Sequence, residues 1–141
     1  MKTTLNDIKI ISIPKITDPR GNLAVIEKEL LPYSIKRVYY LFDVPSDSVR
    51  GGHAHREQME FLIPLSGSFV VILDDAGERQ EIVMNKPDKG LLIPTGIWRE
   101  LNDFSSGAVC LVISSGEFEE EDYIRDYPEF LKYKNMGDTK R

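Results

Sequence analysis

An all-β fold, a small antiparallel sandwich or barrel followed by a short helical tail, is predicted by three features of the sequence. Short runs rich in Val, Ile, Leu, Tyr and Phe recur at near-regular spacing between residues 8 and 115. Each is bounded by Gly, Pro, Asp, Asn or Ser, and no helical period interrupts them. At 141 residues the chain favours one domain, 1–141, with the barrel at about 8–115 and the tail at about 117–134. That length is enough to close one hydrophobic core.

In chain order the strand runs are IKIISI (8–13), NLAVIEK (22–28), KRVYYLFDV (36–44), the stretch around GGHAHREQME (51–60), MEFLIPLSG (59–67) and SFVVILDD (68–75). RQEIVMN (79–85), GLLIPT (90–95), IWREL (97–101) and AVCLVISS (108–115) complete them. DDAGER (74–79) reads as a hairpin, because two acidic residues and a glycine separate two strand runs. SGS (66–68) reads as a tight turn. The tail, EFEEEDYIRDYPEFLKYK (117–134), is acidic first and basic last, as suits a helix dipole. Pro128 argues for two short helices, or a helix and a turn, over one long helix. Phe118, Tyr123, Ile124, Tyr127, Phe130 and Leu131 are expected to form an apolar stripe against the barrel.

Composition narrows the function. With 41% hydrophobic and 29% charged residues the chain is globular. A net charge of −5 argues against a nucleic-acid or anionic-membrane surface, yet it leaves room for a locally basic cleft. Cys110 is the only cysteine, which excludes an intrachain disulfide and a cysteine-based zinc site and suits a reducing compartment. Among Ala108, Val109, Leu111 and Val112 it is expected to be a buried apolar residue. The N-terminal stretch lacks the apolar core of a signal peptide, and runs such as FVVIL (69–73) are too short to span a bilayer. A soluble, cytoplasmic protein is expected.

The chemistry concentrates in residues 53–60. On a strand, residues two apart face the same way, so His53 and His55 point together and Ala54 points opposite. With Glu60 and Gly67 they form H-x-H-x4-E-x6-G, which resembles the first motif of the cupin family of small jelly-roll barrels. The second cupin motif, G-x5-P-x-G-x2-H-x3-N, is matched at Pro94, Gly96 and Asn102. Its histidine position holds Arg99, and the Asn spacing is one residue short. A guanidinium has no free lone pair and repels a cation, so Arg99 removes a ligand and adds positive charge. Three readings follow for the pair: a metal held by His53, His55 and Glu60 alone, two satisfied core histidines, or acid–base chemistry. The last is adopted, because imidazole titrates near neutral pH; no metal and no cofactor are expected.

Several stretches together resemble the sugar-nucleotide 3,4-ketoisomerases, the WxcM-like cupins: DPRGNL (18–23), IKRVYYLFDV (35–44), RGGHAHREQME (50–60), LSGSFVVILDD (65–75), GLLIPTGIWRELNDFSS (90–106) and EEDYIRDYPEFLKY (120–133). Two positions depart from that family. Phe61 stands where Gln is common after the glutamate, which bears on one polar substrate contact. Arg99 stands where His often follows Trp98.

The resemblance implies a dTDP-linked 4-keto-6-deoxyhexose as substrate, with the carbonyl moved from carbon 4 to carbon 3 through an enediol. It implies His55 as principal base and His53 as its acid–base partner, with their order left open. Tyr39 is expected to reach the cavity while Tyr40 packs. Arg37, Arg50 and Arg20 are candidates for the diphosphate, since a guanidinium pairs bidentately with phosphate oxygens. Arg99 is expected to hold the enediolate oxygen or Glu60. Trp98 and Tyr33 are read as packing residues, with stacking on thymine as the alternative. A homodimer with exchanged N-terminal strands is implied, and IKIISI has no nearby hairpin partner. A dTDP-sugar 3,5-epimerase, a non-catalytic sugar-nucleotide-binding cupin and a metal-dependent cupin oxygenase are the competing classes.

Overall fold

A computed structural model of the protein describes residues 3–139. Its strands are β1 (Lys9–Ser12), β2 (Lys15–Asp18), β3 (Gly21–Ala24), β4 (Arg37–Phe42), β5 (Arg50–His55), β6 (Glu60–Ser66), β7 (Phe69–Asp74), β8 (Arg79–Met84), β9 (Lys89–Ile93), β10 (Trp98–Asn102), β11 (Val109–Ser114) and β12 (Tyr123–Ile124), followed by helix α1 (Tyr127–Thr139). One sheet runs β1-β9-β6-β11-β4 and the other β12-β5-β10-β7-β8, with β2 and β3 paired apart from both. Every pairing is antiparallel. The all-β expectation holds, with one correction: among the described residues the two sheets face each other without closing into a barrel. Among the described residues no helix is long and apolar enough to cross a membrane.

Consecutive strands mostly change sheet. DDAGER does close the β7–β8 hairpin, with Asp74 opposite Arg79. SGS instead carries the chain from one sheet to the other, and Gly67 (φ 67°) takes the left-handed conformation that the reversal needs. The N-terminal run also finds a partner, a distant one: Lys9–Ser12 pairs with Lys89–Leu92 on β9. The strands left outside both sheets are β2 and β3, whose Ile16 and Leu23 are exposed.

Inward-facing residues of the two sheets interleave as Leu62, Phe69, Val71, Leu73, Leu91, Ile93, Leu101, Cys110 and Val112. Phe69 and Phe104 stack at 5.3 Å between ring centres. Cys110 is buried here as expected. The outer face of the β5–β10 sheet carries Ala54, Trp98 and Ile124, covered by Phe130, Tyr127 and Leu131 of α1. The outer face of the other carries Phe61, Ile63, Leu92 and Ile113, covered by Leu31, Tyr33 and Ile13.

This layering corrects the expectation for Phe61. Glu60 points inward, so Phe61 points out, fully buried against Gly90. It does not face the space between the sheets. A Cβ at residue 90 would overlap the Phe61 ring, which has no room to withdraw. Gly90→Ala is therefore expected to destabilise the protein by about 1–3 kcal/mol, the usual cost of overpacking, as measured by urea unfolding. Phe61→Leu in the same background should recover part of the loss.

The tail also departs from the expectation. Its acidic part, Glu120–Asp122, is a single 3-10 turn, and Tyr123–Ile124 adds an edge strand to β5. The helix begins only at Tyr127, with Pro128 in its first turn, where a missing N–H costs nothing.

Candidate active site

The strand rows that build the core at one end of the sandwich turn polar at the other. Along β6 the inward row runs Leu62 then Glu60, along β11 Val112 then Ser114, along β4 Leu41, Tyr39 and Arg37, and along β10 Leu101 then Arg99. Period-two alternation thus carries one face from apolar packing to a cavity of about 300 Å³ between the sheets. Arg37, Tyr39, Arg50, His53, Glu60, Arg99, Tyr123 and Arg125 supply its polar lining. Four arginines against one carboxylate make it locally basic in an acidic protein. A larger open groove of about 620 Å³ lies near Asp122, but Glu57, Glu117, Glu119 and Glu121 on its wall would repel a phosphate.

Glu60 is the hub. Its Oε1 accepts from Arg99 Nη1 at 2.9 Å, and its Oε2 accepts from the Tyr39 hydroxyl at 2.9 Å and Ser114 Oγ at 2.8 Å. Arg37 Nη2 stands 3.7 Å from the same oxygen. Both Glu60 and Arg99 are at most 2% exposed. Arg99 Nε and Nη2 also donate to the Ile97 carbonyl, at 3.3 and 3.2 Å. Burial pushes the Glu60 carboxyl up, but the adjacent His55 imidazole and the Arg99 charge outweigh it and hold the group well below the usual range. For Tyr39, burial first and the Glu60 charge second raise the hydroxyl far above its ordinary value, so it remains a donor.

The two histidines share a face as the alternation requires, but they are not equivalent. Their rings meet edge-on at 4.8 Å. His53 lines the cavity, whereas His55 is fully buried behind it. The Nε2 of His53 is buried without a hydrogen-bond partner among the described residues. His55 Nδ1 lies 2.7 Å from Asp122 Oδ2, and its Nε2 lies 3.5 Å from Glu60 Oε1. Burial first, then the Arg99 charge and His55, push His53 down to about 2, so it is neutral at physiological pH.

That depression makes stability pH-dependent. Unfolded, His53 takes a proton near 6.5; folded, it does so only near 2. Between these values the unfolded chain binds the extra proton, so stability present above pH 6.5 is lost as pH falls. The slope is about 1.4 kcal/mol per pH unit for one proton. Urea unfolding from pH 7 to 5 should show this loss, and His53→Asn should flatten it.

Most of the residues expected at the site converge here: His53, His55, Tyr39, Glu60, Arg37, Arg50 and Arg99. Arg99 points inward. Arg20 does not converge. It sits on the β2–β3 turn, fully exposed and bound to Asp18 at 2.7 Å, outside the cavity of its own chain. Tyr40 does not pack inward; it is exposed and meets Phe42 on the outer face of β4. Trp98 packs against Tyr127 and Phe130, and Tyr33 donates to the Ile113 carbonyl, so neither faces the cavity.

Sequence reading missed Asp122, Tyr123, Arg125 and Gln58. Tyr123 was expected in the packing stripe, yet β12 brings it opposite His55 and sets its ring 4.9 Å from His53 and 4.6 Å from His55. Arg125 lies over that ring at 4.1 Å. Gln58 accepts from Arg37 at 3.1 Å and holds it to the wall. Only the pairing of β12 with β5, which no local pattern announces, reveals the first three.

His53, His55 and Glu60 offer possible metal-ligand atoms within 4.8 Å of one another. Their surroundings do not suit one. The Glu60 oxygens are already engaged by Arg99, Tyr39 and Ser114, and the guanidinium puts positive charge beside the place a cation would take.

The model of the FdtA family (WxcM-like, C-terminal) matches residues 6–135. The chain belongs to that family. It is 46% identical over 126 residues to the TDP-4-oxo-6-deoxy-alpha-D-glucose-3,4-oxoisomerase of Aneurinibacillus thermoaerophilus, covering 89% of this chain and 91% of that one. Among solved structures of similar proteins, a 3,4-ketoisomerase from Helicobacter canadensis superposes with a TM-score of 0.89 at 42% identity, over 92% of this chain and 98% of that one. The 3,4-ketoisomerase QdtA of Thermoanaerobacterium thermosaccharolyticum, solved with TDP, superposes with a TM-score of 0.92 at 38% identity, over 95% and 98%. Sugar epimerases are 11% and 16% identical with TM-scores of 0.74 and 0.71, which shows a shared fold alone. The family's cupin sandwich is thus the frame on which the His53–Glu60–Arg99 cavity is built.

Proposed function

We propose that the protein is a nucleotide-sugar isomerase that moves the keto group of TDP-4-keto-6-deoxyglucose from carbon 4 to carbon 3. The observation that carries this reading is the neutral, cavity-facing His53, with an unpartnered Nε2, in an arginine-rimmed pocket whose back wall is the Glu60–Arg99 pair. Relatives named as 3,4-ketoisomerases support it.

His53 removes the proton on carbon 3, acidified by the neighbouring carbonyl. The C–H electron pair becomes the carbon 3–carbon 4 double bond, and the carbonyl oxygen becomes the enediolate oxygen. The proton of the 3-hydroxyl passes to that oxygen, carbon 4 takes the proton back, and the carbonyl now stands at carbon 3. No electrons are gained or lost, so no redox partner is required. Developing negative charge is met by the Tyr39 hydroxyl and the Arg99 cation, both in a water-poor site where such donors act strongly. The same negative charge stabilises the conjugate acid of a histidine that the free site keeps neutral. Tyr39 acts here as donor, Glu60 as the group that aims Tyr39 and Arg99. In this reading Arg37, Arg50 and Arg125, all in the cavity lining, pair with the diphosphate.

This reading gives His53, rather than His55, the contact with the sugar. It treats barrel and tail, residues 1–141, as one catalytic unit, because Tyr123 and Arg125 complete the cavity wall. We place the enzyme in the cytoplasm, in keeping with its one unpaired, buried cysteine. We also propose a homodimer in which the exchanged N-terminal segment is the β2–β3 hairpin. It stands outside both sheets, and a second copy would cover Ile16 and Leu23. A monomeric mass by light scattering at micromolar concentration would contradict the dimer.

Proton NMR of product formed from TDP-4-keto-6-deoxyglucose tests the function. Movement of the carbonyl is expected. Exchange at carbons 3 and 5 without movement would mean an epimerase, and binding without turnover a sugar-nucleotide binder. Turnover should survive chelation; loss reversed by a stoichiometric divalent ion would restore His53, His55 and Glu60 as ligands.

A further inference from the structure

We infer that Asp122, contributed by the C-terminal segment, is the positioning residue of the histidine pair, fixing the His55 ring and its tautomer from behind. The inference rests on the isomerase reading for its kinetic consequence only. Asp122 is 8% exposed and is itself held in place from two sides. Its Oδ1 accepts the Glu57 N–H at 2.7 Å, and its backbone carbonyl accepts the Arg56 N–H at 2.8 Å. Its second oxygen, Oδ2, therefore has one direction left, and His55 Nδ1 lies there at 2.7 Å.

A carboxylate accepts and never donates, so Nδ1 must carry the proton. Nδ1 is thus the donor to Asp122, and Nε2 is the ring nitrogen turned toward Glu60, at 3.5 Å. The ring held this way is the one against which His53 packs edge-on, with Tyr123, the next residue after Asp122, resting on both rings. One turn of the tail thus sets both imidazoles. Asp122 touches no substrate; it acts through His55.

Asp122→Asn separates this role from simple support. The Asn Oδ1 can keep the Glu57 N–H, which leaves the amide NH₂ facing His55 Nδ1. An amide N–H donates, so Nδ1 must become the acceptor and the proton moves to Nε2. The fold is kept and the tautomer is reversed. We expect kcat to fall about 10²-fold with little change in KM. Asp122→Glu, which keeps the anion, should recover part of the loss.

The direct readout is the ¹H–¹⁵N spectrum of the imidazoles. Wild type should show a low-field His55 Nδ1–H resonance, assigned by its loss in His55→Asn, and Asp122→Asn should lack it. Absence of that resonance in wild type, its persistence in Asp122→Asn, or unchanged kcat in a folded Asp122→Asn would each overturn the inference. A wild-type protein that binds the sugar nucleotide without turnover would overturn the isomerase reading instead, and the NMR result would still decide the role of Asp122.

Discussion

Arg99→Met is expected to destabilise the protein by about 3–5 kcal/mol, the cost of breaking a buried ion pair from one side. Arg99 and Glu60 are 1% and 2% exposed and lie 2.9 Å apart. Without the guanidinium the Glu60 carboxylate keeps two neutral donors, Tyr39 and Ser114, and a cation at 3.7 Å. Those contacts do not replace a direct buried counter-charge. Stability should largely return in Arg99→Met/Glu60→Gln, since that double variant removes the orphaned charge as well. On the proposed mechanism the single variant also loses the cation assigned to the enediolate, and turnover should fall more than binding. Arg99 also helps keep His53 neutral. Its removal raises the His53 pKa, so the acidic limb of the pH–rate profile should move to higher pH. Lysine at 99 supplies charge without the planar fork and should rescue only in part. An Arg99→Met protein with wild-type urea midpoint and unchanged pH profile would show that the pair contributes neither to the fold nor to the reaction.

His53→Asn should lower kcat by about 10²–10⁴-fold, the usual contribution of a positioned general base, while TDP binding and the fold are retained. Asn keeps the polarity of the cavity wall and has no basic nitrogen. His55→Asn should also be impaired, but through the placement of its neighbour, so a part of its activity should remain. Should His55→Asn be the dead variant while His53→Asn turns over, the two histidines exchange roles. If both turn over normally, the pair is structural and the proton acceptor lies elsewhere in the cavity.

Much of this site is legible because strand alternation is a local rule. From the pleat alone, His53 and His55 share a face and Ala54 does not, Tyr39 joins Arg37 while Tyr40 turns away, and Glu60 parts from Phe61. The same rule distinguishes which half of each run is apolar, which is why the core and the cavity occupy successive stretches of the same strands. The tail was misread for a related reason. Its acidic-to-basic composition suits helix on both sides of Pro128, but two residues at 123–124 are captured as a ladder partner by β5, and a propensity carries no information about such a capture.

What the sequence determined by itself is therefore the face of each strand residue, the inventory of chemical groups, and the family they resemble. The tertiary structure decided which groups meet. Glu60 and Arg99 are 39 positions apart in the chain, and His55 and Asp122 are 67 apart. It also decided that His53 opens onto the cavity while His55 lies behind it, and that Arg20 stays on a hairpin outside. The pleat fixes a direction relative to the residue's own strand, over one or two positions. Charge pairing and burial depend on which distant strand lies across the gap, and that is set only when the two sheets pack.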